Sequence, residues 1–151
     1  MSGGFFSLRT PEDLYAKARR DSQAFHYEPS PDGLFNLVCT LSHLRDWICP
    51  GRGKSYEGRD PASWSRAEQL HNDLGNDLDY QIVRDLCNNA KHFSDAKGIG
   101  ADSGVTHGLF LDHNFFGDYF GHPNYHARGR GLREVIASVF SKYEAYFGSN
   151  V

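Results

Sequence analysis

Apolar residues recur at helical spacing in several separate segments of the chain. The clearest series begins after Ser30-Pro31-Asp32, a typical helix N-terminus, and continues in three- and four-residue steps until Pro50-Gly51. Its members are Leu34, Leu37, Val38, Leu41, Leu44 and Ile48. Another series ends at Gly148 and comprises Leu132, Val135, Ile136, Val139, Phe140, Tyr143 and Phe147. Both segments are predicted to be helices that contribute to the core.

Capping residues predict three further helices. Thr10-Pro11-Glu12-Asp13 combines an N-cap, a first-turn proline and two acids, which predicts a helix from Pro11 to Phe25. Ser63 is predicted to cap a short helix that ends at Leu74. Gly75-Asn76-Asp77 then interrupts the chain before a helix from Leu78 to Phe93.

Residues 94–131 contain eight glycines and several aromatic residues but show no helical periodicity. A long loop or small hairpin is expected here, with weak strands at Val105–Leu111 and Asn124–Arg128. The aromatic run from Phe110 to Phe120 is predicted to cover the core or to form a dimer surface. The whole chain, residues 1–151, is therefore predicted to be one mainly α domain, a bundle of four to five helices with this insertion before the last helix.

Composition limits the classes of function. With 39% hydrophobic and 23% charged residues the chain should fold, and its net charge of −3 provides no global basic field for nucleic acid. Any attraction to RNA must therefore come from a local patch or a dimer groove. The three cysteines show no metal-ligand spacing and are expected to be free thiols in a reducing compartment. No signal sequence or run of about 18 apolar residues is found, which predicts a cytoplasmic protein without a membrane segment.

The helix predicted from Leu78 to Phe93 has a distinctive polar face. A helical wheel places six polar side chains within an arc of about 160°. They are Arg84, Asp85, Asn88, Asn89, Lys91 and His92. The adjacent asparagines Asn88 and Asn89 are poor helix formers in a helix interior, which favours a functional use of this face. The alternative is an ordinary solvated face, which is common on amphipathic helices.

Two resemblances involve this helix. Arg84-Asp85, followed by six residues and His92, resembles the R-[N/D/H]-x(4–6)-H motif of the HEPN superfamily of small helical domains. His43-Leu44-Arg45-Asp46-Trp47 together with Asn88-Asn89-Ala90-Lys91-His92-Phe93 is similar to a paired HLxDW…NxxKHF signature of uncharacterised bacterial proteins. This second resemblance extends over roughly residues 34 to 147.

The HEPN resemblance implies a metal-independent endoribonuclease that acts as a homodimer, in a toxin–antitoxin or phage-defence setting with an antitoxin or other partner protein. In that reading, His92 is the acid or base, Arg84 stabilises charge on the transition state and Asp85 orients either one. Asn88 and Lys91 would contact phosphates, and RNA would be selected because it carries the 2′-hydroxyl nucleophile.

The spacing of the motif makes the dimer important. Six intervening residues rotate His92 by about 80° from Arg84 on an ideal helix, so His92 of one protomer is expected to meet Arg84 of the other. His43 and Asp46, three residues apart on the second helix, are candidates for substrate binding or for orienting His92. Their alternative is a purely structural role at the edge of the core.

Two other functions stay open. One is a catalytically silent HEPN-like module that binds RNA, a nucleotide or a partner protein through the same face. The other is a metal-dependent hydrolase that uses the loop histidines His107, His113, His122 and His126. Pro123 and the nearby glycines make a helix between His122 and His126 unfavourable. We therefore predict neither a metal nor another cofactor.

Overall fold

The described part of the chain is mainly helical. The computed structural model describes residues 4–51, 55–92, 98–100, 102–106 and 123–148. Within these ranges there are five α-helices, α1 Pro11–Tyr27, α2 Pro31–Ile48, α3 Arg66–Gly75, α4 Leu78–His92 and α5 Leu132–Gly148. A 3-10 turn at Pro61–Ser63 precedes α3, and three strands follow α4, namely β1 Ser103–Thr106, β2 Asn124–Ala127 and β3 Arg130–Gly131. The predicted mainly α class with a small β insertion before the last helix is confirmed.

The predicted helix starts of α1 and α2 are correct. Thr10 caps α1, because its Oγ1 accepts the Asp13 backbone N–H while the Asp13 carboxylate accepts the Thr10 N–H. Ser30 caps α2 by accepting the Gly33 backbone N–H at 3.0 Å. These bonds satisfy backbone donors that the first turn of a helix leaves without partners.

The predicted start of α3 is wrong by two residues. Ser63 lies in the 3-10 turn, and Ser65 is the residue that caps α3. Its Oγ accepts the Glu68 backbone N–H at 3.2 Å, and the Glu68 carboxylate accepts the Ser65 N–H at 2.8 Å. The Ser65-Arg66-Ala67-Glu68 sequence is thus a capping box, and this motif identifies the helix start better than the isolated Ser63.

The three strands form one antiparallel sheet in the order β1-β2-β3. β1 pairs with β2 from Ser103 opposite Ala127 to Thr106 opposite Asn124. The predicted hairpin insertion is thereby confirmed, although β1 begins earlier than predicted and residues 107–122, with the aromatic run from Phe110 to Phe120, lie outside the described residues. Arg128 belongs to a two-residue turn rather than to the strand predicted over Asn124–Arg128, and the short β3 was not predicted.

The core lies between the helices, with α2 packed against α1, α3 and α4. The apolar stripes of α2 and α5 supply many of its fully buried side chains, among them Leu37, Leu41, Leu44, Val135 and Val139. Two buried tyrosines complete the packing by donating hydroxyl hydrogen bonds to α2 carbonyls, Tyr80 to Ser42 at 2.9 Å and Tyr143 to Leu41 at 2.7 Å. Within the described ranges, no helix is long and apolar enough to cross a lipid bilayer.

Candidate functional site

The predicted polar face of α4 contains one residue that is buried. Asp85, which the wheel places on the polar face with Arg84, is 5% exposed. Its Oδ1 accepts hydrogen bonds from Nε and Nη2 of Arg84, both at 3.1 Å. A carboxylate tolerates burial when cations and hydrogen bonds compensate its lost hydration. The burial of Asp85 was therefore not predicted, while its predicted association with Arg84 agrees with this contact.

The second partner of Asp85 comes from the β-hairpin and was missed in the sequence. Arg128 donates from Nη2 to Asp85 Oδ2 at 2.9 Å. It occupies the turn between β2 and β3 with φ of +49°, and the next residue, Gly129, has φ of +71°. Positive φ at both central residues is typical of two-residue hairpin turns, but it is unusual for arginine. The Arg128-Gly129 dipeptide at the end of the predicted strand was the available signal.

These contacts concentrate positive charge at one point of the surface. Two guanidinium groups converge on a single carboxylate, so the three side chains carry a formal charge of +1. The side chains of Arg84 and Arg128 are 36% and 30% exposed, respectively. Fixed, partly exposed guanidinium groups are suited to binding phosphate, because their planar donors match its oxygens.

A second polar contact joins α4 to α2. Lys91 Nζ lies 3.3 Å from His43 Nε2, so two of the predicted site residues meet. Burial lowers the pKa of His43, the positive charge of Lys91 lowers it further, and Asp46 acts in the opposite direction. His43 is therefore held in its neutral form near neutral pH, and its Nε2 can accept a hydrogen bond from the ammonium group.

The remaining predicted residues lie on the exposed surface. His92 is the exposed last residue of α4, Asn88 is exposed one turn earlier, and Asp46 is exposed on α2. In the described part of the chain, no hydrogen bond or ion pair links His92 to Arg84. Within one chain, the described contacts therefore do not join Arg84 directly to His92.

The described residues provide no cluster for the metal-dependent alternative. Residues 4–51, 55–92, 98–100, 102–106 and 123–148 contain no group of three or more His, Cys, Asp or Glu side chains able to hold a metal ion. His126 lies opposite Gly104 in the sheet, and a Cβ added at Gly104 would come within 2.9 Å of the His126 ring. The His126 side chain therefore packs against β1. His107, His113 and His122 lie outside the described residues.

A buried polar cluster beside α3 was not anticipated. His71 is 3% exposed, and its Nδ1 lies 2.7 Å from the Tyr56 hydroxyl and 3.2 Å from Arg45 Nη2. Burial and the charge of Arg45 lower the pKa of His71. Arg45 can only donate, so its contact with Nδ1 is a hydrogen bond when Nδ1 carries no proton. Arg45 Nε also donates to the His71 carbonyl at 2.9 Å, so the cluster fastens α3 to α2.

Comparison of the chain with protein-family models, curated proteins and solved structures finds no match. The functional argument therefore depends on the residues and contacts described above.

Proposed function

We propose that this protein is a HEPN-like, metal-independent endoribonuclease that acts as a homodimer. The main supporting observation is the pair of partly exposed guanidinium groups, Arg84 and Arg128, held by the buried Asp85. The helix that carries Arg84 and Asp85 also carries Lys91 and the exposed His92. Cations suited to binding phosphate and an imidazole, a side chain that can transfer protons, are thus on one element.

The proposed reaction divides its tasks among these groups. A histidine takes the proton of the ribose 2′-hydroxyl, whose oxygen attacks the adjacent phosphorus, and the bond from phosphorus to the 5′-oxygen breaks. The proton taken up by the histidine returns to the leaving 5′-oxygen through solvent, so the products are a 2′,3′-cyclic phosphate and a 5′-hydroxyl. Arg84 stabilises the negative charge of the transition state, and Asp85 keeps that guanidinium in place before substrate arrives. His92 is the proposed acid or base.

The geometry of α4 supports the proposal of a dimer. Asp85 occupies the Nε and Nη2 donors of Arg84, and His92 ends the same helix about 80° away around its axis. A two-fold interface would bring His92 of one protomer to Arg84 of the other, as HEPN nucleases do. The resemblance also implies a toxin or phage-defence setting with an antitoxin or other partner protein.

Cleavage of a labelled single-stranded RNA in EDTA tests the reaction. We expect cleavage by the unmodified protein, a cyclic phosphate product, and no cleavage where the scissile nucleotide is 2′-deoxy. His92→Ala should reduce the rate by about 10² to 10⁴-fold, because that is the usual contribution of a general acid or base. His26→Ala is the matched control, since His26 is also exposed in the last turn of a helix. Equal loss in both variants, or cleavage that EDTA abolishes, would contradict the proposal.

Mixing two inactive variants tests the shared site. If each site combines Arg84 of one protomer with His92 of the other, a heterodimer of Arg84→Ala and His92→Ala retains one intact site. Random exchange in an equimolar mixture should therefore restore about a quarter of the normal activity. A mixture as inactive as its components, although exchange is demonstrated by mass spectrometry, would exclude a site shared in this way.

A catalytically silent binding module is the second candidate. The favouring observation is that Arg84 uses Nε and Nη2 to hold Asp85, so this edge of the guanidinium faces inward. Such a module would bind RNA, measured by fluorescence anisotropy, without cutting it. Arg128→Ala should then weaken RNA binding. The slope of log K against log salt concentration should also become less steep, by the amount that about one phosphate contact contributes. Arg130→Ala serves as the control in the same hairpin.

A further inference from the structure

Two cysteine thiols meet between α2 and α4. The Sγ atoms of Cys39 and Cys87 lie 3.2 Å apart, although 48 positions separate them in sequence. Both are free thiols, as is Cys49 at the C-terminal end of α2. The pair was not apparent from the sequence, because neither cysteine belongs to a short motif.

We propose that Cys39 and Cys87 form an oxidative modification site, in which a hydroperoxide converts the thiol pair to a disulfide. A disulfide bond is about 2.05 Å long, so the sulfur atoms, now 3.2 Å apart, need to approach by only about 1 Å. Small adjustments of two side chains and of the helix packing can provide such a shift. The site does not depend on the proposed ribonuclease activity.

The surroundings of the pair give the two cysteines different roles. Cys39 is partly exposed and lines a cavity of about 230 Å³ together with Lys17, Thr40 and His43. Cys87 is 1% exposed and has no comparable access to solvent. A small oxidant such as hydrogen peroxide therefore reaches Cys39 first, and Cys87 is placed to complete the disulfide.

The reaction balances with one peroxide molecule. The Cys39 sulfur attacks a peroxide oxygen, the O–O bond breaks, and Cys39 becomes a sulfenic acid as one water is released. The Cys87 sulfur then attacks Cys39 Sγ, the sulfenic S–O bond breaks and a second water leaves. Two thiols have together lost two electrons and two protons, and the peroxide has been reduced to two waters.

The electrostatic surroundings indicate that the reduced pair reacts slowly. Burial and the neighbouring Cys87 raise the pKa of Cys39 to about 12, while Lys91 and Lys17 act in the opposite direction. The thiol is therefore protonated at neutral pH, and the thiolate is the reactive form. The site suits a response to sustained oxidation rather than rapid peroxide turnover.

Oxidation would also affect the neighbouring contact between the same helices. His43 and Lys91, whose Nε2 and Nζ atoms are 3.3 Å apart, each follow one of the cysteines by four residues. A disulfide between Cys39 and Cys87 would fix α2 relative to α4 one helical turn away. The chemical environment of His43 is therefore expected to report the state of the thiol pair.

Treatment of the full chain with hydrogen peroxide, followed by intact-mass analysis and peptide mapping, tests the site. We expect the loss of two hydrogen atoms and one linked peptide that contains Cys39 and Cys87. Because 48 positions separate the two cysteines, the link should raise Tm by on the order of 10 °C, and dithiothreitol should reverse the change. Cys49→Ser is the matched control and should behave like the unmodified protein. Cys39→Ser should form no internal link.

A second measurement distinguishes formation of the disulfide from general oxidative damage. The His43 ring resonances in NMR spectra should shift on oxidation of the unmodified protein and of Cys49→Ser, but not of Cys39→Ser. The proposal is overturned if Cys39 gains oxygen atoms without forming a link, or if the link includes Cys49. It is also overturned if both thiols remain reduced while a folded control protein with a known thiol pair is oxidised. If Cys39→Ser does not fold, Cys39→Ala provides the same comparison.

Discussion

Helix α4 makes two different kinds of polar contact on its two sides. Toward the β-hairpin, the carboxylates of Asp79 and Asp85 bind guanidinium groups of Arg130 and Arg128. Toward α2, Lys91 meets the neutral His43, and Cys87 meets Cys39. The hairpin side therefore consists of ion pairs, whereas the α2 side consists of an imidazole beside an ammonium group and of two adjacent thiols.

The hairpin side is suited to stabilising the fold, whereas the α2 side is suited to responding to pH or oxidation. The ion pairs of carboxylates with guanidinium groups on the hairpin side connect α4 to the β-hairpin. An imidazole can change its charge with pH, and two adjacent thiols can be oxidised to a disulfide. The hairpin side includes Asp85, which also binds Arg84, and the α2 side includes Lys91.

The largest expected effect is on the hairpin side at Asp85. Asp85→Asn leaves the guanidinium groups of Arg84 and Arg128 without their counter-charge, and we expect a loss of about 2 to 4 kcal/mol in the free energy of unfolding. Asp79→Asn is the matched change. Asp79 is 9% exposed, and it has one arginine at 3.2 Å whose side chain is 46% exposed, so about 1 kcal/mol is expected. Urea denaturation measures both values, and equal losses would show that the second guanidinium at Asp85 contributes nothing.

Double-mutant cycles should resolve the two ion pairs. The coupling energy between Arg128 and Asp85 is expected to be about 1 to 3 kcal/mol, and that between Arg130 and Asp79 below about 1 kcal/mol. The reason is burial, since the Asp85 side chain is 5% exposed and the Arg130 side chain is 46% exposed. A reversed order of the two coupling energies would contradict this assignment.

The sequence predicted the helices better than the contacts between them. Helix ends depend on local signals, such as Thr10 with Asp13, and the apolar stripe of α2 repeats every three or four residues, so both are visible in a short window. The error at Ser63 came from choosing an isolated serine over the capping box that begins at Ser65. That information was present in the sequence.

The contacts of the site were only partly predictable from the sequence, because several of them join residues that are far apart along the chain. A helical wheel counts Asp85 as polar, but its burial depends on Arg128, which lies 43 positions away in sequence. The contact of Cys39 with Cys87 likewise needs the packing of α2 on α4. By contrast, His43 and Lys91 were both selected from sequence motifs, and the structure brings them together. Long-range partners follow from packing, which no local pattern specifies.

The turn between β2 and β3, which presents Arg128 to Asp85, provides a test with a smaller expected effect. Gly129 has φ of +71°, so Gly129→Ala strains the turn that presents Arg128, and we expect a loss of about 1 kcal/mol in unfolding free energy. Gly131→Ala is the matched control, because Gly131 has an ordinary φ and a Cβ there would meet no atom within 4 Å. Thermal or urea denaturation distinguishes the two variants. Similar losses would mean that the positive φ at Gly129 has no special cost.

The smallest expected effect is on the α2 side, in the titration of His43. Burial first and Lys91 second lower its pKa below the usual 6.5, so protonation of His43 opposes folding. Stability is then complete above about pH 6.5 and falls as the pH decreases through the folded pKa. Lys91→Met should raise the His43 pKa and reduce this fall by a few tenths of a kcal/mol, whereas Asp46→Asn should lower the pKa. NMR titration resolves the ring of His43 from that of His71 and measures the pKa of His43. An unchanged His43 pKa in Lys91→Met would show that the ammonium group does not act on the imidazole.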